Sequence, residues 1–311
     1  MSKLYSVGEL LIDFQSVGTG SLKDTAQFVK NAGGAPANVC VQAVKLGQQA
    51  AYLTKVGNDG FGEFLIETLK NEGVDTSYIR TSDKHDTSLA FVSFKEDGER
   101  QFSFYRRAAA DLYFTAEDFK DVQFEARDIL EFGSVALKTE EARSAHKYLI
   151  KKAQSAGASI FFDPNLRFNL WEDKEQLRGT VLEFARFADV IKVGVDELEF
   201  ITGLPAESAV KAMFNGKLKI LLVTDGGKGA KLYLADGRRF DCGGYKVKAV
   251  DTTGAGDSFF GAFIAQYMAG NGEYGYLEML QFACKCGAYT TTGYGAIPAM
   301  GNRQNVDKAV K

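Results

Sequence analysis

The sequence predicts an α/β fold: a central, mostly parallel sheet covered by helices on both faces, with a small separate β-sheet beside it. Three observations carry this prediction. From residue 129 onward short apolar runs alternate with helical segments, the pattern of βαβ units. Residues 87–106 depart from that pattern with two β-rich runs around an Asp97-Gly98 turn signal. Further on, Asp251-Thr-Thr-Gly254-Ala255-Gly256-Asp257-Ser-Phe259 leads the chain through small residues into an apolar helix.

In chain order, the apolar run 10–12 ends on Asp13, which reads as a strand end. Gly33-Gly34 precedes a segment, 37–46, with helical periodicity, and 50–56 is strand-like. The runs 89–94 and 101–106 form a hairpin that does not need the parallel core. With a partner strand from the first thirty residues it makes its own small sheet, so the core is discontinuous in sequence. Residues 129–135, 159–163, 190–193 and 220–224 are uninterrupted apolar runs, as expected of strands buried on both faces. Between them 139–156 and 174–188 are helical, implying right-handed crossovers. From Phe259 the residues Phe260, Phe263, Ile264, Tyr267 and Met268 recur at helical spacing, while Gly261, Ala262 and Ala265 permit close packing. In such sheets ligands collect at the carboxyl ends of the strands, where Asp163, Thr224 and the Gly254 loop fall.

The chain of 311 residues is 45% hydrophobic and 25% charged, ordinary for a soluble globular protein. Its formal charge of −3 comes without blocks of like charge, which recommends neither a nucleic-acid nor a membrane partner. No leader-like or long uncharged apolar stretch is present, so the expected location is the cytoplasm. Cys40, Cys242, Cys284 and Cys286 lack zinc-site spacing and read as reduced thiols in that compartment. His85 and His146 are far apart without a nucleophile motif, which argues against a histidine triad; His146, in a polar helical stretch, reads as exposed.

The 251–259 segment carries the most chemistry. A helix N-terminus offers unpaired N–H groups and the positive end of the macrodipole, and Gly254, Ala255 and Gly256 leave them uncovered. A transferring phosphoryl group fits there, with Asp257 beside it to accept a hydroxyl proton. The same residues also describe an ordinary acidic helix start after a glycine turn. Asp13 reads as a hydroxyl acceptor or a strand-end cap. Arg106, after Phe104-Tyr105, offers a fork of donors for sugar oxygens or phosphate, or is a solvated hairpin-end arginine. Arg167 follows Asp163-Pro-Asn-Leu at a strand end facing the crevice. Thr224-Asp-Gly226-Gly-Lys-Gly229 is a glycine loop after a strand, readable as a phosphate cradle or a turn. No Walker-type sequence is present, and no Gly-x-Gly-x-x-Gly closes the first strand, which argues against a dinucleotide oxidoreductase.

The chain resembles the ribokinase-like (PfkB) carbohydrate kinases in two distant signatures, Gly33-Gly-Ala-Pro-Ala-Asn38-Val running through Lys55-Val-Gly-Asn-Asp-Gly-Phe-Gly62, and the 251–259 run. Further matches in the family's order are Gly8–Phe14, Phe104-Tyr-Arg106, Phe162–Arg167, Glu197–Gly203, Thr224–Gly229 and Gly295–Pro298, spanning almost the whole chain. The wording of 162–171 is closest to the fructokinase branch. The resemblance implies a three-layer α/β/α ribokinase-like fold over residues 1–311, with a β-sheet lid from segments about 10–33 and 87–108. It implies transfer of the γ-phosphoryl group of ATP to the 6-hydroxyl of D-fructose, with Asp257 as base and the 254–256 amides stabilising the phosphoryl group. Asp13, Gly33, Gly34, Asn38, Phe104, Arg106 and Arg167 would bind sugar. Glu197, Thr224, Gly226, Gly229, Gly254 and Gly256 would serve ATP and Mg²⁺, and carbonyls near Asp251, Thr253 and Gly295 would hold K⁺. A homodimer through the lid is a further implication. The chain departs from the pattern at Gly194, where relatives carry Asn or Ser, at Cys284, in place of an adenine-pocket Asn, and over 290–295. Rival readings are a 2-keto-3-deoxygluconate kinase and a non-catalytic sugar sensor.

Overall fold

A computed structural model describes residues 2–94, 100–270 and 275–311. The chain opens with β1 (Lys3–Val7), β2 (Leu11–Thr19), β3 (Phe28–Gly33), α1 (Ala35–Lys45), β4 (Gln49–Gly57), α2 (Gly60–Asn71) and β5 (Ile79–Ser82). Next come β6 (Ser88–Phe94), β7 (Arg100–Tyr105), β8 (Ile129–Gly133), α3 (Glu140–Ala156), β9 (Ser159–Asp163), α4 (Lys174–Ala185) and β10 (Val190–Gly194). It closes with α5 (Val195–Thr202), α6 (Ala206–Met213), β11 (Ile220–Thr224), β12 (Gly229–Leu234), β13 (Arg239–Gly243), α7 (Ala255–Ala269), α8 (Tyr276–Thr290) and α9 (Arg303–Ala309). The Asp97-Gly98 turn lies outside the described residues.

Nine strands form the main sheet in the order β13-β12-β11-β10-β9-β8-β1-β4-β5. All neighbours run parallel except the β11–β12 and β12–β13 pairs. Because each central strand is covered on both faces, its side chains alternate between two cores. Phe161, Tyr52 and Leu4 pack with α1, α2, α7 and α8, while Phe162, Leu53 and Tyr5 pack with α3, α4, α5 and α6. This is the α/β sandwich the alternation predicts.

The hairpin β6–β7 joins β2 and β3 in a separate four-stranded sheet of order β3-β2-β6-β7. Its register aligns Asn31, Asp13, Ala90 and Phe104 in one row and Val29, Gln15, Val92 and Phe102 in the next. Paired strand residues share a face, so Phe104 stands on the same side as Asp13. The opposite side packs Phe14 on Phe91 (4.9 Å between centroids) and on Phe61 of α2 (5.6 Å).

Helix boundaries follow local chemistry. Thr139 accepts a hydrogen bond from the Ala142 amide (3.2 Å), and Asp59 accepts from Phe61 and Gly62 (2.9 Å each), as N-caps do. His146 corrects an expectation: it is buried, not exposed. On α3 it shares the inward face with Ala142, Ala145, Leu149 and Ala153, and its ring lies among Phe114, Phe132 and Phe184. Its Nδ1 lies 2.7 Å from the Ala142 carbonyl, and burial pulls its pKa down to about 4. Helical periodicity outranks the polarity of the flanking residues here.

Helices α1 and α7 cross closely enough that a Cβ on Gly261 would stand 2.6 Å from the Val39 carbonyl oxygen. Gly261→Ala should therefore destabilise the protein by about 1–3 kcal/mol, the cost of overpacking a core contact. A urea midpoint unchanged from the unmodified chain would show that the helices part freely.

Candidate functional site

Helix α7 begins at the carboxyl end of the sheet, with Gly254 in the left-handed region (φ 74°) as its N-cap. A side chain there would collide with Ala296, 2.5 Å away, so the loop that precedes α7 packs directly on the 295–300 segment. Asp251 fixes that arrangement. One carboxylate oxygen accepts from the Thr253 amide (2.9 Å) and hydroxyl (2.6 Å), the other from the Gly295 amide (3.0 Å). Asp251, Thr253 and Gly295 are thus held together, although 44 positions separate the outer two.

Asp257 lies in the first turn of α7 and accepts a 2.8 Å hydrogen bond on Oδ2 from Asn38 Nδ2 of α1. Helix α1 is itself pinned at its start. Gly34 (φ 123°) comes so close to Glu9 that a Cβ would sit 2.3 Å from the Glu9 carbonyl, and the Glu9 side chain accepts the Ala35 amide at 3.0 Å. Glu9 caps this helix from a distance, a role that sequence spacing did not signal. Gly33 lies under Asp13, whose Oδ2 would be 2.1 Å from a Cβ there.

The carboxyls of Asp13 and Asp257 feel each other and a shared cation. Each keeps part of its surface open to the cleft. The surrounding protein nonetheless pushes Asp13 up to about 7, against the pull of Arg167 and with the charge of Asp257 adding to the push. Asp257 is likewise raised by desolvation, opposed by Lys192, by the Asn38 hydrogen bond and by Arg167. Asp13, Asn38, Arg167 and Asp257 therefore form one electrostatic neighbourhood between the small sheet and α7. Arg167 is exposed and donates from Nη1 to its neighbour's carbonyl, Leu166 O, at 3.1 Å.

Two site candidates are committed within the protein. Arg106 is buried; Nη2 donates to Asp111 (2.7 Å) and Nε to Ser88 (3.0 Å), while Ser88 donates to Asp111 (2.6 Å). It fastens the end of β7 to the chain that follows. Glu197 accepts from the Leu166 amide (2.6 Å) and the Gly194 amide (2.7 Å), tying the 163–167 loop to the start of α5. Arg107 is exposed. Phe104 stacks beside Phe102 at 5.9 Å.

The glycine loop after β11 has two faces. Thr224 ends that strand, and Gly226 (φ 49°) faces open space with no atom within 4 Å of its missing Cβ. Gly229 instead is pressed against β13, 2.1 Å from the Cys242 carbonyl. Cys284 and the other three cysteines are buried and free.

Lys192 of β10 is a residue that the sequence reading passed over. It is buried, and its Nζ donates to Asp163 Oδ2 at 2.9 Å. A lysine inside an apolar strand run was the available signal, since a buried ammonium requires a partner.

With this geometry in view, comparison places the chain among known proteins. The family described as pfkB family carbohydrate kinase matches residues 1–302. Fructokinase-2 of Solanum lycopersicum is 41% identical over 307 residues, 96% of this chain and 92% of that protein. A double-mutant fructokinase of Vibrio cholerae O395, solved in its fructose-, ADP- and potassium-bound form, superposes with a TM-score of 0.91. It is 31% identical, with 100% of this chain and 99% of that one covered. Fructokinase of Xylella fastidiosa with bound ATP gives 0.87 at 30% identity, covering 99% and 97%.

Glu9 offers a check on the site's electrostatics. Burial raises its carboxyl to about 7, above an ordinary glutamic acid, with the Arg106 charge and the amides it caps pulling the other way. The folded state then holds a proton that the unfolded chain releases near 4.5, so this contribution is fully present below about 4.5 and disappears as pH rises through about 7. Glu9→Gln keeps an acceptor for Ala35 and should flatten the loss of stability between pH 5 and 8, by at most about 3 kcal/mol. Parallel pH profiles of thermal unfolding for the two proteins would contradict the shift.

Proposed function

The chain belongs to the pfkB family of carbohydrate kinases, and on that premise we propose that it is a fructokinase transferring the γ-phosphoryl group of ATP to the 6-hydroxyl of D-fructose. The observation that carries the reading is Asp257 in the first turn of α7, hydrogen-bonded to Asn38 and electrostatically coupled to Asp13 and Arg167. A hydroxyl held by Asp13 and Asn38 would face both a base and a helix N-terminus. Desolvation raises the Asp257 carboxyl toward the working pH, which favours proton transfer over a fully solvated aspartate.

In this reading the Gly254, Ala255 and Gly256 amides receive the phosphoryl oxygens, and Arg167 adds charge at the cleft. Phe104 presents a ring on the Asp13 face to cover the sugar. Arg106 holds the small sheet in shape through Asp111, acting on sugar at one remove. The four-stranded sheet serves as the lid and excludes water that would otherwise accept the phosphoryl group. Thr224 and Gly226 border the nucleotide, while Gly229 supports their loop from behind.

Magnesium bound with ATP would neutralise charge on the phosphates. Both Glu197 oxygens already accept amides, and the described residues contain no cluster of three or more metal-ligating side chains. The ion therefore fits best as one held by phosphates and water, with Glu197 ordering the loop around it. The Asp251, Thr253 and Gly295 junction suits a potassium ion on main-chain carbonyls, because Asp251 holds both loops in place. No helix among the described residues is long and apolar enough to cross a membrane, and four buried free thiols fit a reducing cytoplasm.

Exposed Val17, Val29 and Phe102 give one face of the small sheet an apolar surface suited to a second copy of the chain. A sedimentation profile of a monomer at micromolar concentration would rule that dimer out.

Asp257→Asn should keep the fold and fructose affinity and lose turnover by roughly a hundredfold to ten-thousandfold, the range for removing a general base. Near-normal turnover would remove Asp257 from its role. In a coupled assay across a sugar panel, fructose should have the highest kcat/KM, and Asp13→Ala should lower it by up to about four orders of magnitude. Faster turnover of 2-keto-3-deoxygluconate would reassign the substrate but not the kinase, and sugar binding without ADP release would favour a sensor.

A further inference from the structure

We infer that Lys192 is a further catalytic residue of this site, donating from its ammonium to the phosphoryl group as that group passes from nucleotide to sugar; the inference rests on the kinase reading above. Lys192 Nζ makes one hydrogen bond among the described residues, to Asp163 Oδ2 at 2.9 Å. An ammonium has three N–H donors, so two remain to be used. Their surroundings are informative. A Cβ on Gly256 would stand 3.1 Å from Nζ, which places the ammonium against the backbone of the first turn of α7.

The helix itself contributes unfavourably to a cation placed there. The N-terminus of a helix is the positive end of its dipole, and cations are stabilised at the other end. Burying an ammonium costs several kcal/mol before pairing, and Asp163 compensates only one side of it. Two positive poles converging on one spot make sense when an anion occupies the space they share. Nor is Asp163 exhausted by the pair. Its Oδ1 is buried and without a partner among the described residues, in a protein interior where such atoms are seldom left unpaired.

The fold explains how the pair forms. Strands β9 and β10 are parallel neighbours, and the register that aligns Ile191 with Phe162 leaves Lys192 beside Asp163 one step on. Both reach the carboxyl edge of the sheet, where α7 begins. Burial lowers the Lys192 ammonium's affinity for its proton, but Asp163, Glu197 and Asp257 more than offset this, so its pKa is raised and it stays charged. It therefore contributes charge and hydrogen bonds, with no proton given up.

The alternative is a purely structural Lys192–Asp163 pair. Lys192→Met, Lys192→Arg and Asp163→Asn separate the two. With ATP saturating, Lys192→Met should lower kcat for fructose by about a hundredfold to a thousandfold, the scale of removing one preorganised transition-state donor, while the fructose KM changes less than about threefold. Lys192→Arg should recover at least about tenfold of that loss, because it restores the charge. Should Lys192→Met fail to fold, Asp163→Asn decides: a folded protein with kcat within threefold of the unmodified chain, despite the lost anchor of the ammonium, overturns the inference. So does a folded Lys192→Met with near-normal kcat. Failure of the unmodified chain to phosphorylate fructose would instead overturn the fructokinase reading, and the inference with it.

Discussion

The site depends on one electrostatic balance: the carboxyl of Asp257 is deprived of much of its water and is kept ionisable by what stands around it. Desolvation alone would leave it a neutral acid, useless for taking a proton. Lys192 from β10, Asn38 from α1 and Arg167 from the loop after β9 oppose that tendency. No single element supplies all three. The parallel order of β9 and β10 brings two of them to the same edge of the sheet, and the close crossing of α1 and α7 at Gly261 brings the third. The architecture thus acts chiefly by setting the surroundings of one side chain.

The same neighbourhood is crowded with other acids. Glu9 and Glu131 are buried, and burial raises both, Glu9 to about 7 and Glu131 well above the ordinary range. Glu131 lies in β8 opposite Ser6 and Phe161, facing the core beneath α1. Asp163, raised by burial to about 6 in spite of Lys192, adds a third. Because these groups hold protons more tightly than free carboxylic acids do, the negative charge near the cleft is smaller than a count of carboxyls suggests. This matters for a site that would receive a polyphosphate.

Much of this was legible in the sequence, for identifiable reasons. Strands β8 to β11 announced themselves because coverage on both faces demands unbroken apolar runs. The small sheet showed through a hairpin that interrupts the βαβ rhythm. What stayed hidden depended on register or on contacts between distant segments. Lys192 lay inside a run read as apolar, and its partner Asp163 is a neighbour only through strand pairing. Arg106 pairs with Asp111, a partner that only the fold brings within reach. His146 was misread because the stretch around it is polar, although its helical neighbours Ala142, Leu149 and Ile150 are apolar and buried.

The hydrogen bond between Asn38 and Asp257 spans 219 positions of the chain. During synthesis the small sheet, helix α1 and the parallel strands up to β11 are all translated before Asp257. In the proposed reading, a nascent chain of that length would hold every sugar-facing group from Asp13 to Arg167 yet nothing to accept the hydroxyl proton. Truncated products of interrupted translation would therefore lack catalysis whatever they fold into. In that reading competence would require α7 to dock against α1.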